Sequence, residues 1–231
     1  MSEITIPAKD GGQFKAYVAM PAKLPAPTVI VIQEIFGVNE GIRGKCDWLA
    51  SEGFIAVAPD LFWRIEPGVQ LTDKSDADWE KAFDLMNEFK IDTGIEDLKA
   101  VKHTFKGHAN STGKVGCMGY CMGGKLAYLM GCRSTVDASV GYYGAGIEKL
   151  LAEANNATGQ IMLHFAEADE YVPTTAQDKI KAAFADKKNM TLHTYPGVGH
   201  AFTRVGGKHY DADMATLADA RTVEFLKKYL A

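Results

Sequence analysis

Residues 114–129 read Lys-Val-Gly-Cys-Met-Gly-Tyr-Cys-Met-Gly-Gly-Lys-Leu-Ala-Tyr-Leu. An apolar strand pattern ends at Gly119, Cys121 follows, and Gly123 and Gly124 lead into a helical pattern. This is the G-x-S-x-G pattern of a sharp strand-to-helix turn, with cysteine in the serine position. Glycine is favoured beside such a turn because larger side chains would collide there. The stretch therefore predicts a thiol above the sheet edge at a helix N-terminus, where the helix dipole favours a thiolate.

The cysteines allow a second interpretation, because most free cysteines are small, buried hydrophobic residues. That interpretation suits Cys46, Cys117 and Cys132, whereas the glycines around Cys121 favour a functional role. Four cysteines are too few for a disulfide scaffold and match no zinc pattern, so we expect four thiols. The stretch also lacks the complete phosphate-loop pattern G-x-x-x-x-G-K-[ST].

Short apolar runs alternate with helical patterns along the chain. Ile4–Pro7 and Phe14–Met20 flank the turn residues 10–12 and predict an antiparallel hairpin. Further strands are predicted at 27–33, 54–58, 114–119, 138–143, 160–165 and 190–195. The alternation predicts an α/β fold with a doubly wound, mostly parallel sheet, forming a single domain over residues 1–231. Ligands are expected at the carboxyl ends of its strands.

Helical patterns are predicted at 39–51, 79–106 and 211–229. Asp92 or Thr93 is the expected cap of the second part of the 79–106 segment. The expected apolar stripe of the last helix consists of Leu217, Ala220, Val223 and Leu226.

The composition excludes several classes of protein. With 231 residues, 47% of them hydrophobic and 23% charged, the chain can form one sizeable core. Its net charge of -4 offers no basic field for nucleic acid. The first residues show no signal-peptide pattern and no apolar run is long enough to span a bilayer, so we expect a cytoplasmic protein with no membrane partner.

A general base and an orienting acid are expected near the thiol. The predicted strand at 160–165 is followed by Asp169, and the strand at 190–195 is followed by His200 in a glycine-rich loop. Both residues therefore come just past a strand, in the order nucleophile, acid, histidine that this pattern requires. The interpretation is a Cys121, His200 and Asp169 triad, in which Asp169 orients the imidazole.

Each partner also has an ordinary alternative, since aspartate often begins turns and a lone histidine is often a surface residue. Glu167 and Glu170 remain alternative acids. No pair among the other histidines has a metal-ligand arrangement, and we expect no metal: His103, His108, His164, His193 and His209.

The strand at 27–33 leads into Glu34-Ile35-Phe36-Gly37, the loop that supplies one oxyanion-hole N–H in this architecture. We predict the Ile35 and Met122 backbone N–H groups as the two donors, each typically worth about 3 to 4 kcal/mol. Glu34 is a carboxylate directly after a buried strand, which is costly unless it is paired or functional. A solvated strand end is the alternative for Glu34.

Six motifs spread over the chain carry a resemblance to a known family. They are 33–37 (Gln-Glu-Ile-Phe-Gly), 58–62 (Ala-Pro-Asp-Leu-Phe), 119–124 (Gly-Tyr-Cys-Met-Gly-Gly), 141–144 (Gly-Tyr-Tyr-Gly), 167–169 (Glu-Ala-Asp) and 199–204 (Gly-His-Ala-Phe-Thr-Arg). Because it contains these six motifs together, the sequence resembles the dienelactone hydrolase family, also called carboxymethylenebutenolidases. The likeness covers essentially the whole chain, and the cysteine separates this family from most serine esterases of the α/β-hydrolase fold.

The resemblance implies hydrolysis of a carboxylated enol-lactone, dienelactone to maleylacetate, in the breakdown of aromatic compounds. It implies no cofactor. It also implies that Glu34 holds the resting thiol of Cys121 and takes its proton when substrate binds, so that the thiolate pairs with the imidazolium of His200. Cys121 then forms an acyl-enzyme.

The family binds its substrate carboxylate with two arginines, and Arg204 matches one of them. No arginine lies near Trp79, where the second is expected, and Arg64 is the nearest candidate. Lysine does not reproduce the bidentate fork of arginine, so this departure concerns the identity of the substrate. The expected pocket walls are Phe36, Phe83, Tyr143, Ala168 and Phe202.

Two other functions stay open. A broader ester or thioester hydrolase with the same triad would prefer neutral esters to an anionic lactone. A non-catalytic thiol sensor or binder would show a peroxide-sensitive Cys121 and no ester turnover. For the lactone hydrolase and for the broader hydrolase, the partner is a small-molecule lactone or ester. No obligate protein partner is expected.

Overall fold

The computed structural model describes residues 2–231. The strands are β1 (Ser2–Pro7), β2 (Gln13–Ala19), β3 (Ala26–Ile32), β4 (Ile55–Pro59), β5 (Ser111–Tyr120), β6 (Ala138–Tyr142), β7 (Gln160–Ala166) and β8 (Met190–Tyr195). The α-helices are α1 (Glu40–Ser51), α2 (Asp76–Glu88), α3 (Ile91–Lys106), α4 (Met122–Arg133), α5 (Thr174–Phe184) and α6 (Ala212–Leu230). Two short 3₁₀ helices follow β6, at Ile147–Lys149 and Leu151–Asn156. No helix between residues 2 and 231 is long and apolar enough to cross a membrane.

The strands confirm the predicted α/β fold, with an eight-stranded, mostly parallel sheet. β1 and β2 form the predicted antiparallel hairpin, with Ser2 opposite Val18 and Pro7 opposite Gln13. β2 also pairs antiparallel with β4, and β3 pairs parallel with β4. β6, β7 and β8 pair parallel in that order. Strands β3 to β7 consist largely of buried β-branched and other apolar residues, as expected for strands covered on both faces.

The described residues form two compact units that divide within β5, one of residues 2–116 and one of residues 117–231. The first contains the hairpin, β3, β4 and helices α1 to α3. The second contains β6 to β8 and helices α4 to α6. The prediction of a single domain over residues 1–231 stays a prediction.

The predicted helical segment 79–106 is two helices, because the chain turns at Phe89 and Lys90. Phe89 leaves the helical conformation, with φ -64° and ψ 126°, and its ring lies over Gly94, where a Cβ atom would be only 2.2 Å from it. The prediction of Asp92 or Thr93 as a cap was wrong. Both lie inside α3, whose N-cap is Lys90 without a side-chain cap.

The predicted apolar stripe of α6 was also largely wrong. Leu217 is 40% exposed, and the buried face instead consists of Ala215, Ala218, Thr222, Phe225, Leu226 and Leu230. The difference arises because a polar residue, Thr222, belongs to the buried face. Periodicity of apolar residues alone cannot identify such a face.

Thr222 belongs to a buried chain of hydrogen bonds that joins α6 to three strands. Its hydroxyl lies 2.6 Å from the Tyr142 hydroxyl and 3.0 Å from Nε2 of His164. The other ring nitrogen of His164, Nδ1, lies 2.8 Å from the Tyr195 hydroxyl. Tyr142 also lies 3.1 Å from Oδ1 of Asp219.

The Asp219 end of this series of hydrogen bonds fixes the direction of each of them. The Asp219 carboxylate only accepts, so Tyr142 donates to it and accepts from Thr222. Thr222 then accepts from Nε2–H of His164, which leaves Nδ1 to accept from Tyr195. At the far end, Arg221 lies with its guanidinium carbon 5.3 Å from the centre of the Tyr195 ring. His164 is thereby held neutral, as the Nε2–H tautomer.

Acid should destabilise the protein through His164. Burial lowers its pKa well below the ordinary 6.5, and the nearby charges of His193 and Arg221 act in the same direction. The unfolded chain therefore binds a proton that the folded chain does not, so this contribution to stability is present above pH 6.5 and is lost as pH falls below it. We expect the free energy of unfolding to fall more steeply in the native protein than in His164→Gln, by up to about 1.4 kcal/mol per pH unit.

Urea denaturation at a series of pH values between about 4.5 and 7 measures this difference. The exposed His103 provides the control, because His103→Gln should keep the native slope. Parallel slopes for the native protein and His164→Gln would contradict the assignment of a neutral, buried His164.

Candidate active site

Cys121 stands at a sharp turn between β5 and α4, as predicted. Its backbone has φ 54° and ψ -115°, a conformation that costs a non-glycine residue about 1 to 3 kcal/mol. Its N–H donates to the Tyr142 carbonyl at 3.0 Å. Its carbonyl accepts from the N–H groups of Gly124 and Lys125, at 2.9 and 3.2 Å, and so begins the first turn of α4. The thiol is partly exposed, whereas Cys46, Cys117 and Cys132 are buried.

Glycines let this first helical turn approach β6 backbone to backbone. A Cβ atom on Gly124 would lie 2.3 Å from the Tyr142 carbonyl oxygen. A Cβ atom on Gly141 would lie 2.7 Å from the carbonyl oxygen of Gly124. Neither contact leaves room for a side chain, so the turn depends on glycine on both the helix and the strand.

His200 and Asp169 lie together, as predicted. Nδ1 of His200 is 2.9 Å from Oδ2 and 3.0 Å from Oδ1 of Asp169, and both residues are buried. Oδ1 also accepts from the N–H groups of Tyr171 and Val172, at 2.8 and 3.1 Å. The carboxylate is therefore fixed by the backbone of its own loop, and it selects the tautomer with a proton on Nδ1.

The alternative acids do not take this place. Oε2 of Glu167 accepts from the N–H of Gly197 at 2.9 Å, which joins the loop after β7 to the loop after β8. Glu170 is exposed. On the other side, Nδ1 of His209 donates to the His200 carbonyl at 3.0 Å and supports the backbone of that loop.

The second ring nitrogen of His200, Nε2, is buried and forms no hydrogen bond of ordinary geometry within residues 2–231. Burial lowers the pKa of His200, but the hydrogen bond with Asp169 and the interactions with the Cys121 side chain outweigh it and raise the pKa to about 10. A thiolate at Cys121 and an imidazolium at His200 therefore stabilise each other. An ion pair of this kind can supply a nucleophile and an acid.

Two tyrosine rings stand nearly perpendicular to the His200 ring. The centroid of Tyr143 is 5.0 Å away and that of Tyr171 is 4.8 Å away. Sequence reasoning missed Tyr171, whose only signal was its position two residues after Asp169. Its side chain is exposed enough to face a ligand, at 49%.

Backbone strain is concentrated here. Among residues 2–231, the non-glycine residues with positive φ are Cys121, Tyr143 and Ala201, at 54°, 39° and 62°. Cys121 is the residue at the strand-to-helix turn, Tyr143 contacts the His200 ring, and Ala201 follows His200 directly. Strained conformations persist only where the surrounding structure holds them, and they are typical of functional sites.

The predicted substrate residues of the second unit differ in their exposure. Arg204 is partly exposed, and its charge acts on the Tyr171 hydroxyl and lowers the pKa of Tyr171, against the larger raising effect of burial. Tyr143 and Phe202 are almost fully buried, and the Tyr143 hydroxyl already binds that of Thr203 at 2.8 Å. Met122 opens α4, where the first N–H groups have no acceptor within the helix.

The predicted residues of the first unit lie in an anchored loop after β3. Glu34 is buried, at 7% exposure, as are Ile35 and Phe36. The Phe36 carbonyl accepts from the N–H of Leu71 at 2.9 Å, and Gly37 packs so closely that a Cβ atom would lie 2.0 Å from the Val69 carbonyl oxygen. This loop has little freedom to move independently.

Arg64 is committed to its own chain. Its Nε and Nη2 atoms donate to Asp97 at 3.0 and 2.8 Å, and Nη1 and Nη2 donate to Asp10 at 2.7 and 3.0 Å. These four bonds argue against its predicted role as a substrate-binding arginine. Within residues 2–231, no group of three or more His, Cys, Asp or Glu side chains is arranged to hold a metal ion.

Comparison with known proteins decides the family. The sequence profile described as the dienelactone hydrolase family matches residues 14–230. This chain belongs to that family. A protein of Azospirillum brasilense, provisionally named a carboxymethylenebutenolidase, is 45% identical over 235 residues and all of both chains. The carboxymethylenebutenolidase of Pseudomonas putida is 38% identical over 96% of this chain and 94% of its own.

A solved structure gives the same result for the fold of this dienelactone hydrolase family member. A protein from Klebsiella pneumoniae, provisionally named a dienelactone hydrolase, has a TM-score of 0.87 and 26% identity, covering 99% of this chain and 98% of its own. The similarity extends along nearly the whole of each of these chains. The protein is therefore a carboxylic ester hydrolase with the α/β-hydrolase fold.

The close approach of α4 to β6 predicts that Gly124→Ala is strongly destabilising. The added methyl group meets the Tyr142 carbonyl, which is backbone and cannot move aside, so we expect a loss of about 2 to 4 kcal/mol in the free energy of unfolding. Gly44→Ala is the matched control, because this α1 glycine has no atom within 4 Å of the added Cβ. Gly44→Ala should raise the free energy of unfolding by about 0.5 to 1 kcal/mol, because alanine favours a helix more than glycine does. Urea denaturation compares them, and equal effects would contradict the proposed packing.

The coupling of His200 to Cys121 predicts that Cys121→Ala lowers the pKa of His200. Removing the sulfur removes interactions that raise the pKa, and leaves burial opposed by Asp169 alone. Nitrogen NMR of the imidazole ring across a pH titration measures this pKa. Cys132→Ala, at the far end of α4, should leave the titration unchanged. An identical titration in Cys121→Ala would show that the two side chains do not interact.

Proposed function

We propose that the protein hydrolyses a carboxylated enol-lactone, converting dienelactone to maleylacetate in the breakdown of aromatic compounds. The observation that carries the proposal is the arrangement around His200: Nδ1 bonded to both oxygens of Asp169, and Nε2 on the side of Cys121. Carboxymethylenebutenolidases at 38% identity and above support the substrate class.

In the first half of the reaction, the Cys121 thiolate attacks the lactone carbonyl carbon. The carbonyl oxygen becomes an oxyanion, which the N–H of Met122 is proposed to stabilise together with that of Ile35. The oxyanion then collapses, the ring C–O bond breaks, and the former ring oxygen leaves as an enolate. The product of this half is a thioester between the substrate acyl group and Cys121.

In the second half, water attacks the thioester carbon. The released enolate takes the proton of that water, either directly or through His200, whose imidazolium first gives its own proton to the enolate; the C–S bond then breaks to regenerate the thiolate. The enol product then rearranges to its keto form. Because the leaving enolate is stabilised by conjugation, the ring opening needs less assistance from a general acid than the opening of an alkyl ester would.

Two further roles rest on the family resemblance. Glu34 is proposed to accept the thiol proton of Cys121 when substrate binds, a role that suits a buried carboxylate directly after a strand. Arg204 is proposed to bind the substrate carboxylate, because it acts on Tyr171 beside His200.

A broader ester or thioester hydrolase is the second candidate. The observation that favours it is the engagement of Arg64 with Asp10 and Asp97, which removes one of the two arginines considered for binding a carboxylate. A single arginine gives less preference for an anionic substrate than two. The two candidates differ in the ratio of activities on a carboxylated lactone and its methyl ester.

Loss of ultraviolet absorbance from a carboxylated dienelactone tests the proposal. We expect turnover by the native enzyme and a fall of about 10⁴-fold or more in kcat for Cys121→Ala, because the nucleophile is removed. The control is Cys132→Ala, a buried cysteine on the same helix, which should keep native activity.

The outcomes separate the parts of the proposal. Residual activity near the native level in Cys121→Ala would reject the nucleophile. Native turnover of the methyl ester but not of the carboxylated lactone would reject the lactone and favour the broader esterase. Loss of the preference for the carboxylated substrate in Arg204→Gln, with kcat on the neutral ester retained, would support the role of Arg204.

A further inference from the structure

Tyr171 contacts the ring of His200, and the proposed reaction does not use it. The centroids of the two rings are 4.8 Å apart, with an angle of 70° between their planes. The second ring that flants the imidazole, Tyr143, is 1% exposed, and its hydroxyl is bonded to that of Thr203. Tyr171 is 49% exposed. Of the two rings, it is therefore Tyr171 that offers surface to a ligand.

The backbone around Tyr171 is held firmly on both sides. Its N–H donates to Oδ1 of Asp169 at 2.8 Å. The carbonyl of the next residue, Val172, accepts from Nε2 of the buried Gln177 at 2.9 Å, and the same nitrogen donates to the Ala166 carbonyl at 2.8 Å. The loop between β7 and α5 is thus fixed to the strand end and to the helix. A ligand that packs on the Tyr171 ring meets a surface that is already in position.

The leaving group of the proposed reaction has to lie beside this ring. When the C–O bond breaks, the leaving oxygen keeps the electron pair and takes the proton of Nε2 of His200, because Nδ1 is bonded to Asp169. Such a transfer needs about 2.6 to 3.2 Å between the leaving oxygen and Nε2. The imidazole ring is small, so the group attached to that oxygen lies against the rings that border His200. Since Tyr143 is buried, the ring that this group meets is that of Tyr171.

The chemistry of Tyr171 suits an unsaturated, anionic leaving group. Burial raises the pKa of its hydroxyl, the charges of Glu170, Cys121 and Asp169 raise it further, and Arg204 lowers it. The side chain therefore stays uncharged at neutral pH and does not repel an enolate. An aromatic ring packs more favourably on a flat unsaturated group than on an alkyl group, because the two π-systems attract each other in stacked or edge-to-face arrangements.

We propose that Tyr171 determines the specificity of the site for the leaving group: its ring packs against that group, so that enol and aryl esters are preferred to alkyl esters of equal reactivity. The inference rests on the proposed function, in which Cys121 is the nucleophile and His200 protonates the leaving oxygen. It extends the substrate class from an enol-lactone to esters whose leaving group is flat and unsaturated.

Two acetate esters whose leaving alcohols are equally acidic test this inference. One is an aryl acetate and the other is a fluoroalkyl acetate, so that the two differ in the shape of the leaving group and not in its intrinsic reactivity. The ratio of their kcat/KM values is measured by titrating the released acid, for the native protein, Tyr171→Leu and Tyr171→Phe. A change that only misplaces His200 slows both esters by the same factor and leaves the ratio unchanged.

We expect the ratio of aryl to fluoroalkyl acetate to fall about three- to tenfold in Tyr171→Leu, because the apolar bulk is kept and the ring is lost. Tyr171→Phe keeps the ring and should keep the native ratio. Tyr210→Leu is the matched control, because Tyr210 is an exposed tyrosine in the loop that follows His200, and it should also keep the native ratio. Thermal melting verifies that each variant is folded, and Tyr171→Val replaces Tyr171→Leu if the latter is not.

Equal ratios in the native protein and Tyr171→Leu would overturn the inference. A fall in Tyr171→Phe as large as that in Tyr171→Leu would also overturn it, since the hydroxyl and not the ring would then be responsible. So would an equal fall in Tyr210→Leu, or a native enzyme that does not hydrolyse the aryl acetate. Lactone turnover without an aryl preference would reject this inference alone, and an aryl preference without lactone turnover would reject the lactone alone.

Discussion

The second unit is organised around one close approach of two backbones, that of Gly124 in α4 to Tyr142 in β6. The same Tyr142 carbonyl that excludes a side chain at Gly124 accepts the N–H of Cys121 at 3.0 Å. The chain therefore has to pass from strand to helix within one residue, and Cys121 takes a positive φ to do so. This geometry presents the thiol at the helix N-terminus, where the dipole of α4 and the histidine loop both act on it.

Asp169 and His200 are held firmly, and their charges are therefore already in position in the folded protein. Asp169 is fixed by two backbone N–H groups, and it fixes the His200 tautomer with both oxygens. The imidazolium is thus stabilised although burial alone would favour its neutral form. Hydrogen bonds formed on folding offset the cost of charge separation in such a site, so the attack proposed for Cys121 needs little reorganisation.

The features that could be predicted from the sequence are those that depend on short stretches of residues and on their order along the chain. Glycines 123 and 124 flank a cysteine at a strand end, and Asp169 and His200 each follow a strand, so the elbow and the proximity of acid and base followed from pattern and order. What it missed depends on long-range hydrogen bonds and packing. The hydroxyl of the buried Thr222 is hydrogen-bonded to His164 and Tyr142, and the helix break at Phe89 accompanies packing of its ring over Gly94.

The buried chain through His164 and the site share one strand pair. Tyr142 supplies its carbonyl to Cys121 and its hydroxyl to Thr222, while the His164 carbonyl accepts the N–H of Tyr143 at 2.8 Å. Tyr143 in turn contacts the His200 ring. β6 and β7 therefore connect the buried hydrogen bonds of the neutral His164 to the residues around Cys121 and His200. Because His164 is held in one tautomer by directional bonds, the strand ends below Cys121 and His200 are fixed by interactions that take no part in the chemistry.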